Sequence, residues 1–335
     1  MAFITIDRKN LFRNLDLLCA RAGDKNKIAA VLKDNAYGHG LDIVARLVSE
    51  YGIREAVVIS YDEALKIEKL FDNILVLDDK PRARKALSFA VTSIDTLEDV
   101  DPEARIELKI DTGMRRNGIV MDEMEKAVEI IKRRGLNLTG VMTHYRSADE
   151  LGSGFYWQKK RFESVVDFFR SQSLSDLRFH SCNSAALLRK NGTLDEDLAR
   201  TGIAIYGYSE LPECFGAAPL YPVMKLWAER VSTRRLKKGE RVGYGGEFEA
   251  PRDMVVSTYD LGYGHGWPRG DASRPYRLPD GRPLLGRVSM DFISVEGEDE
   301  TICVMDDAKR AAAQFGTISY EMTTALSADI ERRIV

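Results

Sequence analysis

The chain has 335 residues, of which 44% are hydrophobic and 30% charged, with a formal net charge of −3. That balance fits a soluble globular protein of one large and one small domain. It gives no electrostatic footing for a nucleic-acid partner, and no apolar run reaches the roughly 18 residues of a membrane span. The start, MAFITIDRKNLF, lacks the basic-then-apolar pattern of an export signal. Cys19, Cys182, Cys214 and Cys303 are scattered without a CxxC pair, which fits a reducing cytoplasm better than a disulfide framework or a structural zinc site.

In chain order, Asp7 precedes Leu11, Leu15 and Leu18, a capped helix with one apolar face. Short apolar runs predict strands at Ile28–Leu32, Ala56–Ser60, Ile74–Leu77, Phe89–Ser93, Ile106–Ile110, Gly140–His144, Arg178–Ser181 and Ile203–Gly207. Most are continuous runs, as in parallel strands buried on both faces. Between them, Asp122 caps and Gly135 stops a helix carrying Met124, Val128 and Ile131, and Phe162, Val165, Val166 and Phe169 mark another. This α/β alternation fits a (β/α)8 TIM barrel, and an open doubly wound sheet equally well.

After Ser209 the prolines Pro212, Pro219 and Pro222, with Gly216, mark a linker. Val223–Val231, Met254–Tyr259, Leu284–Val288 and Phe292–Val295 then read as strands, with one clear helix near Asp307–Phe315. The expectation is a barrel domain over 7–209 and a mostly β domain over 216–335, which residues 1–6 join.

Lys33 ends the first predicted strand, the face on which barrels place their chemistry. A lysine there is suited to bonding a carbonyl group, although a lone lysine at a strand end is ordinarily a surface residue. Asn183 and Ser184 follow the seventh strand, and Arg200, Gly202 and Ile203 surround the eighth. Barrels often bind phosphate in those two loops, but the same residues also make a plain helix cap and turn. Arg116, after the fifth strand, offers the fork of donors that binds a carboxylate. His144 ends the sixth. The four histidines, His39, His144, His180 and His265, are not spaced as metal ligands, so no catalytic metal is expected.

The string Ala30-Val31-Leu32-Lys33-Asp34-Asn35-Ala36-Tyr37-Gly38-His39-Gly40 resembles the pyridoxal-phosphate attachment motif of alanine racemases, with Leu32 and Asp34 where valine and alanine are usual. The segments His180–Ala186, Arg200–Ile203, Leu108–Gly118, Leu261–Arg269 and Gly286–Asp291 are similar to that family's in the same order. The resemblance implies that Lys33 bonds pyridoxal 5′-phosphate and that Tyr37, Asn183, Ser184, Gly202 and Ile203 hold it. It places Arg200 on the pyridine nitrogen and His144 against the ring. Arg116 and the Met290 backbone would meet the substrate carboxylate, and Lys109 matches a lysine that is carbamylated in many members.

Lys33 and Tyr263 would be the two bases, with Tyr263 supplied by the other subunit of a head-to-tail homodimer. The activity implied is racemisation of L- and D-alanine in the cytoplasm, supplying D-alanine for peptidoglycan. Three departures stand out: Arg115 replaces a usual glycine, His265 a usual aspartate, and Ala328 stands where some members have a gate tyrosine. The competing readings are a racemase of serine or a basic amino acid, a fold-type III decarboxylase, and a cofactor-carrier protein. The Tyr263 and Ser289–Asp291 segments count against the decarboxylase. The second domain counts against the carrier.

Overall fold

The computed structural model describes residues 1–335 apart from 173, 175 and 217. The chain forms two compact units. One comprises Met1–Leu11, Tyr37–Ile43 and Pro222–Val335, and the other Phe12–Ala36 and Val44–Tyr221.

Strand β1 (Phe3–Ile6) belongs to the first unit. The second unit then carries β2 (Ile28–Val31), β3 (Glu55–Val58), β4 (Asn73–Val76), β5 (Leu87–Val91), β6 (Arg105–Asp111), β7 (Ile119–Val120), β8 (Asn137–Met142), β9 (Arg178–His180) and β10 (Ala199–Thr201). Among the described residues eight of these run parallel, in the order β10-β2-β3-β4-β5-β6-β8-β9, and the short β7 pairs with the end of β6. The ring is nearly closed. Between β9 and β10 lies the single bridge Asn183–Arg200, with Arg200 N–H donating to the Cys182 carbonyl at 2.9 Å and Asp197 N–H to the Phe179 carbonyl at 3.2 Å. Every residue of β2, β4 and β5 is buried, the pattern of parallel strands covered on both faces.

The eighth strand differs from expectation. It is Ala199–Thr201, and Ile203–Gly207 is a series of turns, with Ile205, Tyr206 and Gly207 N–H groups donating to the carbonyls of Gly202, Ile203 and Ala204. The apolar run is buried, and burial without strand pairing produces the same sequence signal.

The helix Arg8–Ala22 buries Leu11, Leu15 and Leu18 completely, and the Asp7 carboxylate accepts from Asn10 N–H at 2.9 Å, as its cap reading requires. Helix Met124–Arg134 ends on Gly135 at φ 62°. Its start corrects the expectation for Asp122, which lies inside a 3₁₀ turn and makes no cap. Helix Gly154–Ser171 packs Phe162, Val165 and Phe169 into the outer barrel core.

The first unit continues with β11 (Met224–Leu236), β12 (Arg241–Val242), β13 (Phe248–Glu249), β14 (Met254–Tyr259), β15 (Ile293–Glu296), β16 (Thr301–Met305) and β17 (Glu331–Ile334). Its main sheet has the order β15-β14-β11-β1-β17, with β16 also on β11; β1 pairs antiparallel with β11 and parallel with β17. Leu284–Val288 is not a strand, since Gly286 at φ 72° breaks the run, and a second helix, Ser319–Thr324, accompanies Ala308–Phe315. No helix of the described residues is long and apolar enough to cross a membrane.

Candidate active site

The barrel's β2 ends at Val31, and Leu32 leads from it to Lys33. Beyond it the backbone turns left-handed, with Asp34, Asn35, Ala36 and Tyr37 at φ 55°, 54°, 53° and 52°. Each L-residue in that region costs about 1–2 kcal/mol, least for Asp and Asn. Such strain persists only where surrounding contacts over-determine it. Here Glu63 clamps the turn: Oε1 accepts Asn35 N–H at 3.0 Å and Oε2 accepts Ile59 N–H at 3.1 Å. The buried Tyr206 hydroxyl donates to the Val31 carbonyl at 2.9 Å. Lys33 is left at the strand end, its Nζ 3.0 Å from the Asp34 carboxylate.

The loop after β9 and the turn after β10 meet at Ser184. Its Oγ accepts Gly202 N–H at 3.0 Å and Ala204 N–H at 3.4 Å. Asn183 caps the short helix Ser184–Leu188, its Oδ1 accepting Ala186 N–H at 2.9 Å. The cap reading of Asn183 is therefore correct as far as it goes, and the same loop also gathers backbone donors around one hydroxyl.

Arg200 is buried among acceptors. One guanidinium nitrogen donates to the His180 carbonyl at 3.0 Å and to His180 Nδ1, and the other to the Thr143 carbonyl at 2.6 Å. Burial lowers its pKa, while the Glu196 and Glu107 carboxylates push back. Behind it, His180 Nε2 meets Glu107 Oε2 at 2.6 Å, and Glu107 is also held by Arg178 and by Ser88 Oγ at 3.0 Å. Burial alone would raise the Glu107 pKa, but Arg178 and His180 outweigh it and keep it well below the usual carboxylate range. Burial takes His180 down to about 4. A neutral His180 donates from Nε2 to Glu107 and accepts at Nδ1 from Arg200, so the carboxylate fixes the tautomer that fixes the arginine.

From β6, Lys109 bonds the Asn117 side-chain oxygen, and its pKa falls to about 8 through burial and the cations Arg116 and Arg200, against Asp111 and Asp78. The Asp111 carboxylate accepts Gly113 N–H at 2.8 Å and Arg115 N–H at 3.1 Å, shaping a turn in which Arg115 takes φ 56°. A positive φ there accounts for a glycine preference. His144, after β8, is taken down to about 3 by burial and then by Arg200, Lys109, Arg116 and Lys33. Gln158 ties the two strand ends, donating to Thr112 Oγ1 at 3.0 Å and to the His144 carbonyl at 2.8 Å.

The remaining predicted residues lie in the other unit. Tyr37 sits with its ring centroid 5.9 Å from that of Tyr320. Tyr263, 43% exposed, begins a 3₁₀ turn. Tyr263 N–H donates to the Ser289 carbonyl at 3.1 Å and Gly264 N–H to the Met290 carbonyl at 2.8 Å. A Cβ on Gly262 would come within 2.3 Å of the Met290 oxygen, so only glycine fits. His265 Nδ1 accepts Gly262 N–H at 3.2 Å, a bond that an aspartate oxygen would make equally well. Ala328 offers its carbonyl to Arg332 at 2.7 Å.

Within the barrel unit the structure thus brings Lys33, Lys109, Arg116 and Arg200 within electrostatic reach of His144, and Ser184 onto Gly202. Tyr37, Tyr263 and Met290 form part of the other unit. Sequence reasoning missed Glu107 and undervalued His180. The available signal was a carboxylate inside the apolar run of β6, which costs several kcal/mol unless paired.

Comparison with known proteins gives one answer. The family described as "Alanine racemase, N-terminal domain" matches residues 6–210, and "Alanine racemase, C-terminal domain" matches 223–334. The chain is 46% identical over 336 residues to an alanine racemase of Nitratiruptor sp., covering 99% of each chain. It is 40% identical over 341 residues to one of Campylobacter concisus, covering 100% of each. Among solved structures, the alanine racemase of Bacillus anthracis with bound L-Ala-P is similar at TM-score 0.89 and 25% identity, covering 100% of this chain and 95% of that one. That of Streptomyces coelicolor is similar at TM-score 0.85 and 29% identity, covering 100% and 98%.

Proposed function

Because this chain belongs to the alanine racemase family, and so is an isomerase that racemises alanine, we propose that it does so by a two-base mechanism with pyridoxal 5′-phosphate as cofactor, supplying D-alanine for peptidoglycan in the cytoplasm. The observation that carries this reading is the meeting of the loops after β9 and β10 at Ser184, whose Oγ gathers the Gly202 and Ala204 N–H groups at the two loops where barrels often bind phosphate.

The donor set fits the cofactor. Lys33 would bond its aldehyde; Ser184, with Asn183, Gly202, Ile203 and Tyr37, would hold its phosphate; and Arg200 would face its pyridine nitrogen. His144 would lie against its ring. Cofactor binding is assigned to the domain 7–209 and the second base to the domain 216–335.

Bound there, the cofactor supplies an electron sink that acidifies the Cα–H of the amino acid. Arg116 and the Met290 backbone orient the substrate carboxylate. Lys33 removes or returns the proton on one face and serves the D-enantiomer; Tyr263 does so on the other and serves the L-enantiomer. A head-to-tail homodimer would bring Tyr263 of one copy to the barrel of the other. Arg200 stays protonated and keeps the ring nitrogen unprotonated, which restrains charge spreading and favours prompt return of the proton. With its pKa near about 8, Lys109 has neutral amine available to take up carbon dioxide, and the resulting anion would orient Arg116.

The test is the purified full chain with cofactor and L-alanine, following loss of optical activity and release of CO2 separately. Racemisation without CO2 is the expected result. CO2 release would replace the reaction with decarboxylation, and faster racemisation of serine or lysine would replace the substrate.

A further inference from the structure

The residue after Lys33 is an aspartate in left-handed conformation, and its carboxylate turns back onto the lysine, Oδ2 to Nζ at 3.0 Å. The side chains are 32% and 50% exposed, so the pair stands at the open end of β2. Three other carboxylates of the barrel unit are engaged elsewhere. Glu63 accepts from Asn35 and Ile59 N–H groups, and Asp111 and Asp78 act on Lys109. Arg200, Lys109 and Arg116 are cations that act with Lys33 on His144. Asp34 is therefore the counter-ion of Lys33 in a cationic setting.

We propose that Asp34 is a positioning residue that receives the Lys33 ammonium whenever the lysine is not bonded to cofactor, holding it at the strand end and favouring its released state over its cofactor-bonded state. The inference rests on the reading of Lys33 as the cofactor-bearing lysine. Bonding the cofactor aldehyde takes the amine out of its ammonium form and so gives up this ion pair, which therefore opposes attachment and eases displacement by the substrate amine.

Asp34→Asn separates charge from backbone, because asparagine tolerates the left-handed region as well as aspartate does. Asp34→Ala removes both, and Asp34→Glu keeps the charge. The full chain, freed of cofactor, is treated with trace acetic anhydride at mildly alkaline pH, and acetylation of Lys33 is read by peptide mass spectrometry. Asp34→Asn should react about threefold faster and bind pyridoxal phosphate about threefold more tightly, a size set by a half-exposed pair. High salt should shrink both differences, and Asp34→Glu should restore most of the wild-type behaviour. Equal rates and affinities in wild type and Asp34→Asn would overturn the proposal. So would a change seen only in Asp34→Ala, which would assign Asp34 to the turn's conformation alone. Borohydride fixation of bound cofactor tests the underlying reading independently: cofactor recovered on a lysine other than Lys33 would refute that reading while leaving the acetylation comparison intact.

Discussion

At the scale of single residues the clearest consequence concerns Glu107, whose partners are other side chains. Its carboxylate holds His180, and His180 holds Arg200. Glu107→Gln takes one of two carboxylates from Arg178, which keeps Glu55 at 2.9 Å, so a stability loss toward the lower end of the range for a broken buried pair, about 3 kcal/mol, is expected in urea unfolding. The amide could also donate to His180 and so release the tautomer that accepts from Arg200. The surviving enzyme should show a lower kcat with little change in KM, whereas a role confined to stability would leave kcat intact. Tyr263→Phe should slow removal of the L-alanine proton by about 10²–10⁴-fold while leaving cofactor affinity unchanged. Equal turnover of both enantiomers at the wild-type rate would remove Tyr263 from the mechanism. The sequence named Arg200 and Tyr263 because each stands in a distinctive string. It did not name Glu107 or the Asp34 pairing, because a charge-bearing strand position shows its worth only when neighbouring strands are known.

At the scale of elements, the left-handed turn after Lys33 is under strain that Ala36 does nothing to relieve. Ala36→Gly should lower the backbone cost by about 1 kcal/mol and Ala36→Val should raise it, read as opposite shifts in Tm. Matching shifts would argue that packing of the side chain governs the position. In the other unit, Gly262→Ala would drive a methyl against the Ser289 and Met290 carbonyls. The expected outcome is loss of activity by displacement of the Tyr263 turn, with cofactor binding preserved. Elements were legible where apolar periodicity and pairing agree, as in β2, β4 and β14. They were not where burial and pairing part company. Ile203–Gly207 is buried but turns, and the run Leu284–Val288, with Leu284, Leu285 and Val288 buried, is broken at Gly286. The strand β17 has the sequence ERRI and is mostly exposed, so nothing apolar announces it.

For the molecule as a whole, the buried polar layer sets the acid limit. His180 titrates near about 6.5 when unfolded and near about 4 when folded, so between those values the unfolded chain binds more protons. Stability therefore rises with pH across that window and is lost on acidification, at up to ~1.4 kcal/mol per pH unit from this group. Glu107, held low, adds stability that is present above the unfolded carboxylate value and lost as pH falls below it. Urea midpoints should decline from about pH 6.5 toward pH 4, and His180→Gln should flatten the upper part of that decline. An unchanged slope would mean that another group dominates. The barrel itself was only half legible, since alternating strands and helices allow an open sheet as readily. What brings the ring near closure is the parallel pairing of β10 with β2, the last strand of the barrel unit with its first, and that contact leaves no local mark on either segment.

The small strand β1 carries one more consequence, for the order in which the protein assembles. Its hydrogen-bonding edges are taken by β11 and by β17, with Phe3 opposite Trp227 on one side and Glu331 on the other. On the ribosome β1 is made long before either of its partners. Until then Ile4 and Ile6, fully buried in the finished sheet, have no sheet to enter. Pairings so distant along the chain form late and slowly, and in the meantime the strand is a sticky segment for which chaperones, or neighbouring nascent chains, would compete.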